Sequence, residues 1–204
     1  MTELRADARR NREELLDVAR QVIREQGVDA SLRDIARRAG VGIATLYRHF
    51  PTRDDLIAAI IGEGIQRLNA RAAELAETKP PGEALEEWLS YMASRIGPYH
   101  GLPGAIHDAL TTGGSPLGIL CADMMDAGDR LLTRAQTDGV IRPDVTWPDI
   151  FTAVAAISAI ATQSSPDTST RILDVYLDGL RANPANRRVS PGENGRSTAA
   201  PCGT

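Results

Sequence analysis

Along most of this chain apolar residues return at steps of three and four, the spacing of one face of a helix, rather than at steps of two. Leu15, Leu16, Ala19, Val22 and Ile23 share one side of a segment from about Ala8 to Gln26, and Gly27 follows as a stop. Ser31, with Asp34 in capping-box position, opens a short second helix whose apolar side is Leu32, Ile35, Ala36 and Ala39, and Gly40 ends it. Gly42 stands where a third helix begins. Leu46 and Phe50, four apart, point to one face as core anchors, while Ile43 and Tyr47 share a neighbouring one.

Pro51 stops that helix, and Thr52 with Asp55 repeats the capping-box signature. A long fourth helix through Leu56, Ile57, Ile60, Ile61, Ile65 and Leu68 runs to about Glu77, before the breaker Lys79-Pro80-Pro81-Gly82. Leu85, Trp88, Leu89, Met92 and Ile96 make a fifth helix, and a short weak segment spans Ala105 to Leu110. Ser115-Pro116 opens a seventh helix through Leu117, Leu120, Met124, Leu131 and Ala135, closed by Asp138-Gly139; within it Asp126 and Arg130 are spaced as an ordinary helical ion pair. Thr146 with Asp149 precedes Ile150, Phe151, Val154, Ile157 and Ile160, and Ser165-Pro166 starts a last helix through Ile172, Leu173, Tyr176 and Leu180.

Nine helices and no strand signal make the expected fold all-α: a head of three short helices at 1–53, a larger helical body at 54–182, and a tail at 183–204. From Asn183 the composition turns to Pro, Gly, Asn, Arg and Ser, which cannot offset its ordering entropy, so the tail is expected to be flexible. Composition agrees, since only 4% of the 204 residues are aromatic. The net charge of −4 hides an asymmetry: residues 1–60 carry eleven arginines against ten carboxylates, leaving the deficit of basic charge to the remainder. Cys121 and Cys202 imply neither a disulfide framework nor a metal site. The charged start lacks an apolar signal region, and the apolar run around Ala153 to Ala161 is too short to span a bilayer, so the expected home is the cytoplasm.

The candidate chemistry lies in Ser31 to Phe50, two short helices about a tight turn, the second carrying Thr45, Tyr47, Arg48 and His49, side chains suited to phosphates and base edges. The run from Arg12 to Leu56, above all AGVGIATLYRHFPTRDDL at Ala39 to Leu56, resembles the DNA-binding domain of the TetR family of bacterial transcriptional regulators. The resemblance implies a helix-turn-helix head in which Ile43, Ala44 and Thr45 face bases and Tyr47 and His49 contact phosphates. Arg48 adds a phosphate or base contact, and Arg33 and Arg53 act as backbone clamps. Arg9, Arg10 and Arg12 fit either the DNA backbone or a solvated helix start. Many relatives place Ser or Thr where this chain has Gly42, so a side-chain cap is absent here.

The same resemblance implies a homodimer through the last two helices, a double-stranded palindromic operator and a small-molecule effector that releases it, repression being the default and activation the alternative. Ala153, Ala155, Ala156, Ser158, Ala159 and Ala161 allow close approach of another helix, with Tyr176 and Leu180 adding bulk; burial inside the monomer is the competing reading. Trp88, Tyr91, Met92, His107, Leu120, Met124 and Phe151 are the expected effector lining, each also compatible with plain core. With His49, His100 and His107 the only histidines and no nucleophile, paired-acid or phosphate-loop motif, no enzyme, cofactor or metal is expected. Cys121 fits either a redox-sensing thiol or a small buried apolar residue.

Overall fold

The computed structural model describes residues 2–161 and 166–182. Among them the chain forms nine α-helices: α1 (Thr2–Gln26), α2 (Leu32–Arg38), α3 (Ile43–His49), α4 (Arg53–Thr78), α5 (Pro81–Ile96), α6 (Leu102–Thr112), α7 (Pro116–Thr137), α8 (Trp147–Ala161) and α9 (Pro166–Leu180). The expected tail at 183–204 and the Ser165 cap lie outside the described residues.

The caps explain most of the boundaries. Thr52 and Asp55 form a complete capping box at the start of α4. Ser31 accepts a hydrogen bond from the Asp34 N–H, but the Asp34 carboxylate turns to Arg37, Arg38 and Gln26, so only half of the expected box forms at α2. Gly40, at φ 69°, ends α2 in a Schellman turn, its N–H bonding Arg37 O while Val41 N–H bonds Ala36 O. Two helices outrun their sequence signals. α1 starts six residues before Ala8, because nothing in that stretch breaks a helix. α6 extends the weak Ala105–Leu110 segment to Leu102–Thr112, since burying Leu102, Ile106 and Ala109 offsets the poor propensity of Pro103 and Gly104.

A continuous core runs from head to body. Leu15, Ala19, Ile23, Ile35, Leu46 and Phe50 fill the head; α4 packs against α1 as well as α5 and α7, carrying the core onward. The centre of the body is aromatic: Trp88 and Trp147 lie 5.5 Å apart between ring centroids, and Phe151 lies 6.3 Å from Trp147. Trp88 donates its indole N–H to Leu68 O at 2.9 Å, fixing α5 to α4. One isolated antiparallel β-bridge, Ile141 to Arg181, ties the α7–α8 loop to the end of α9. Among the described residues no helix is long and apolar enough to cross a membrane. Cys121 is fully buried, and burial pushes its thiol up to about 12, so at neutral pH it holds almost no thiolate and is a packing residue.

Candidate nucleic-acid interface

α3 is seven residues long and divides into an anchored and a free face. Leu46 and Phe50 are fully buried, as the four-residue spacing requires. Tyr47 is 48% exposed, and Ala44 and Arg48 are exposed beside it. Thr45 and His49 are half-buried at the edges, and Arg48 donates to Thr45 Oγ1 at 3.2 Å. Ile43 is half-buried and packed against the head core, so less of it is open than of Ala44. Gly42 caps the helix with backbone alone.

Neighbouring elements aim this helix. The Arg12 guanidinium of α1 lies 5.0 Å from the Phe50 ring centroid, a cation–π contact that covers the C-terminal end of α3. Sequence spacing offered no sign of it, because the partners are 38 positions apart. On α2, Arg33 is exposed, whereas Arg37 and Arg38 are engaged by Asp34 and Glu25. The bonds from Arg37 to Asp34 and from Arg38 to Glu25 hold both carboxyls below their ordinary range. Whatever stability this network contributes is therefore complete above the ordinary carboxylate range and lost as pH falls through the lowered folded values.

Arg53, the first residue of α4, is part-buried and donates one guanidinium nitrogen to Val28 O at 2.5 Å and Ala30 O at 2.8 Å. It therefore fastens the α1–α2 loop to α4, and a phosphate contact would use its other N–H groups. Val28 in turn donates its N–H to His100 O at 2.9 Å, in the turn between α5 and α6, so the same loop touches the body. Arg53→Met should leave two carbonyls short of a donor and cost about 2 kcal/mol. Thermal unfolding should then shift down by roughly 4–8 °C; an unchanged midpoint would mean that these bonds add nothing.

The expected effector-lining residues differ widely in burial. Trp88, Met92 and Met124 are fully buried and Phe151 nearly so; Leu120 is half-buried; His107 is exposed. Tyr91 is half-buried, with the Arg95 guanidinium 4.8 Å from its ring centroid. A ligand entering among them would have to displace packed side chains.

On α8 and α9 the side chains sort by face. Ala155, Ser158 and Leu180 are buried and Tyr176 half-buried, while Thr152, Ala156 and Ala159 of α8 and Ile172 and Val175 of α9 face outward, Val175 being 73% exposed. The alanine pattern pointed to this helix pair without distinguishing its faces, and Val175 carried no signal of its own beyond being apolar.

Comparison with known proteins places these features together. The model of a family described as bacterial regulatory proteins, tetR family, matches residues 15–60, and that of the transcriptional regulator SbtR-like C-terminal domain matches residues 80–182. An HTH-type transcriptional regulator of Staphylococcus aureus is 39% identical over 59 residues, 28% of this chain and 32% of that protein. The match thus spans about a third of the length of such curated relatives. The crystal structure of a TetR transcriptional regulator from Streptomyces coelicolor is 38% identical, covers 84% of this chain and 98% of its own, and superposes with a TM-score of 0.53. The transcriptional regulator FadR from Bacillus subtilis, solved in complex with stearoyl-CoA, is 20% identical with a TM-score of 0.57 over 82% of this chain and 98% of its own, a likeness of fold.

Proposed function

Because the chain belongs to the TetR family of bacterial regulatory proteins, we propose that it is a DNA-binding transcription regulator, not an enzyme, that binds a palindromic operator as a homodimer and is released by a small-molecule effector. The observation that carries this reading is α3: one face is locked into the head by Leu46 and Phe50, and the other presents Ala44, Tyr47 and Arg48 to solvent. A helix so mounted fits the major groove, where its N-terminal half reaches base edges and flanking groups fix the backbone.

On this reading Ala44 and Thr45, with the open part of Ile43, meet base edges. Tyr47 and His49 hold phosphates, Arg48 adds a contact from the same turn, and Arg33 and Arg53 clamp the backbone from α2 and α4. The division into a 1–53 head and a 54–182 body falls at the first residues of α4, the element shared by both. A seven-residue helix reads few base pairs, which favours two heads on a two-fold site, joined through the outward faces of α8 and α9. The body serves as the effector domain; the B. subtilis fold relative carries stearoyl-CoA, so this architecture accommodates a small molecule. Repression follows as the default, by occlusion of a promoter.

The test is binding of the purified protein to the DNA upstream of its own and adjacent genes, with affinity falling as salt rises because phosphate contacts displace counterions. Tyr47→Phe removes one hydroxyl donor and should weaken binding to all sequences alike, by about 1 kcal/mol or roughly fivefold. A change in base preference would contradict the phosphate role. No protected site at low salt would count against control of these genes.

A further inference from the structure

Between α4 and α7 the body is open. Ala72, Ala73 and Ala76 of α4 and Ala127 and Leu131 of α7 line a crevice of about 380 Å³, within the size range of small-molecule sites. Two polar groups on its wall are open to a ligand, one buried and one exposed. Asn69 Oδ1 is buried and accepts no hydrogen bond from the described residues, a rare and costly state for a polar atom inside a protein. Arg130 has no ion-pair partner among the described residues: the pair with Asp126 suggested by their spacing does not form. Asp123 also reaches the rim, and Arg134 closes one end by donating to Ala76 O at 2.7 Å.

An alanine floor, a buried acceptor without a donor and an unpaired cation together describe a ligand. We propose that this crevice binds a small amphiphilic acid, its apolar body over the alanines, its anionic group on Arg130 and an N–H or O–H donated to Asn69 Oδ1. Arg130 supplies a cation for the ligand's anionic group, and Asn69 demands a donor that a plain fatty chain lacks. The site rests on the effector reading of the body and stands apart from the filled core around Trp88 and Phe151.

The probe is 8-anilinonaphthalene-1-sulfonate, which combines an apolar ring system, a sulfonate and an N–H, titrated by fluorescence into the full-length protein. Saturable binding at one site per chain is expected. Arg130→Gln should weaken it at least tenfold, and Ala73→Phe, which fills the crevice from an exposed position, should abolish it. N-phenyl-1-naphthylamine, lacking the sulfonate, should bind at least tenfold more weakly and be indifferent to Arg130→Gln. Both substitutions lie on exposed positions, and unchanged thermal melting confirms intact folding. Affinities within twofold of the parent protein in both variants would overturn the proposal. DNA release by the probe is measured separately: crevice binding without release leaves the site standing and counts against the effector reading, and release by a probe that ignores both substitutions does the reverse.

Discussion

Gly128→Ala is expected to destabilise the protein by about 3 kcal/mol, the upper part of the usual range for overpacking a filled core. A Cβ at position 128 would lie 2.2 Å from Trp147 Cζ2 and within 2.5 Å of two further atoms of the same indole. That ring has little room to withdraw, because Trp88 and Phe151 pack around it and only 3% of the residue is exposed. For a chain of this size the cost corresponds to a fall in melting temperature of roughly 6–12 °C. Trp147→Phe supplies the control. The indole N–H has no hydrogen-bond partner among the described residues, so the smaller ring loses no polar contact there, and the double variant should recover part of the Gly128→Ala loss. A Gly128→Ala protein that melts with the parent would show that α7 and α8 do not meet as closely as described.

If the proposed homodimer forms through the outward faces of α8 and α9, Val175→Asp should convert it to monomer and lower affinity for the proposed operator by two orders of magnitude or more. Val175 is the most exposed of the large apolar residues in the described chain, and Ile172 stands one turn before it on the same outward side of α9. A carboxylate at the centre of an interface loses its water without gaining a partner. Separated heads then lose the effective concentration that joins two half-sites, worth a factor of about 10²–10⁴. Sedimentation equilibrium and DNA titration read the two effects together. A Val175→Asp protein that remains dimeric would place the interface on another surface.

The reading head was legible in the sequence because its signals are local. Ser31, Gly40, Pro51 and the Thr52–Asp55 box each act within four residues, and Leu46 with Phe50 sets the buried face of α3 whatever the rest of the chain does. The body was legible only as a succession of helices. Of its expected effector lining, chosen for bulk with polar tips, Trp88, Met92, Met124 and Phe151 are buried in the core while Tyr91, Leu120 and His107 reach the surface to differing degrees. A crevice does open where α4 and α7 present alanines, and small residues announce a gap only once the facing helix is known.

Arg53 and Arg130 make the same point from opposite sides. The sequence offered Arg53 as a free clamp at a helix start, yet it bonds carbonyls 25 and 23 positions away. It offered Arg130 a partner one turn earlier, yet among the described residues none is taken. By itself, then, the sequence determined the nine helices, the anchored and exposed faces of α3 and the family to which they point, because helix periodicity and caps depend on neighbours within one or two turns. Only the tertiary structure decided which arginines are engaged, which outward faces remain for a partner and where the body is hollow, because these depend on distances between residues that the chain itself keeps far apart.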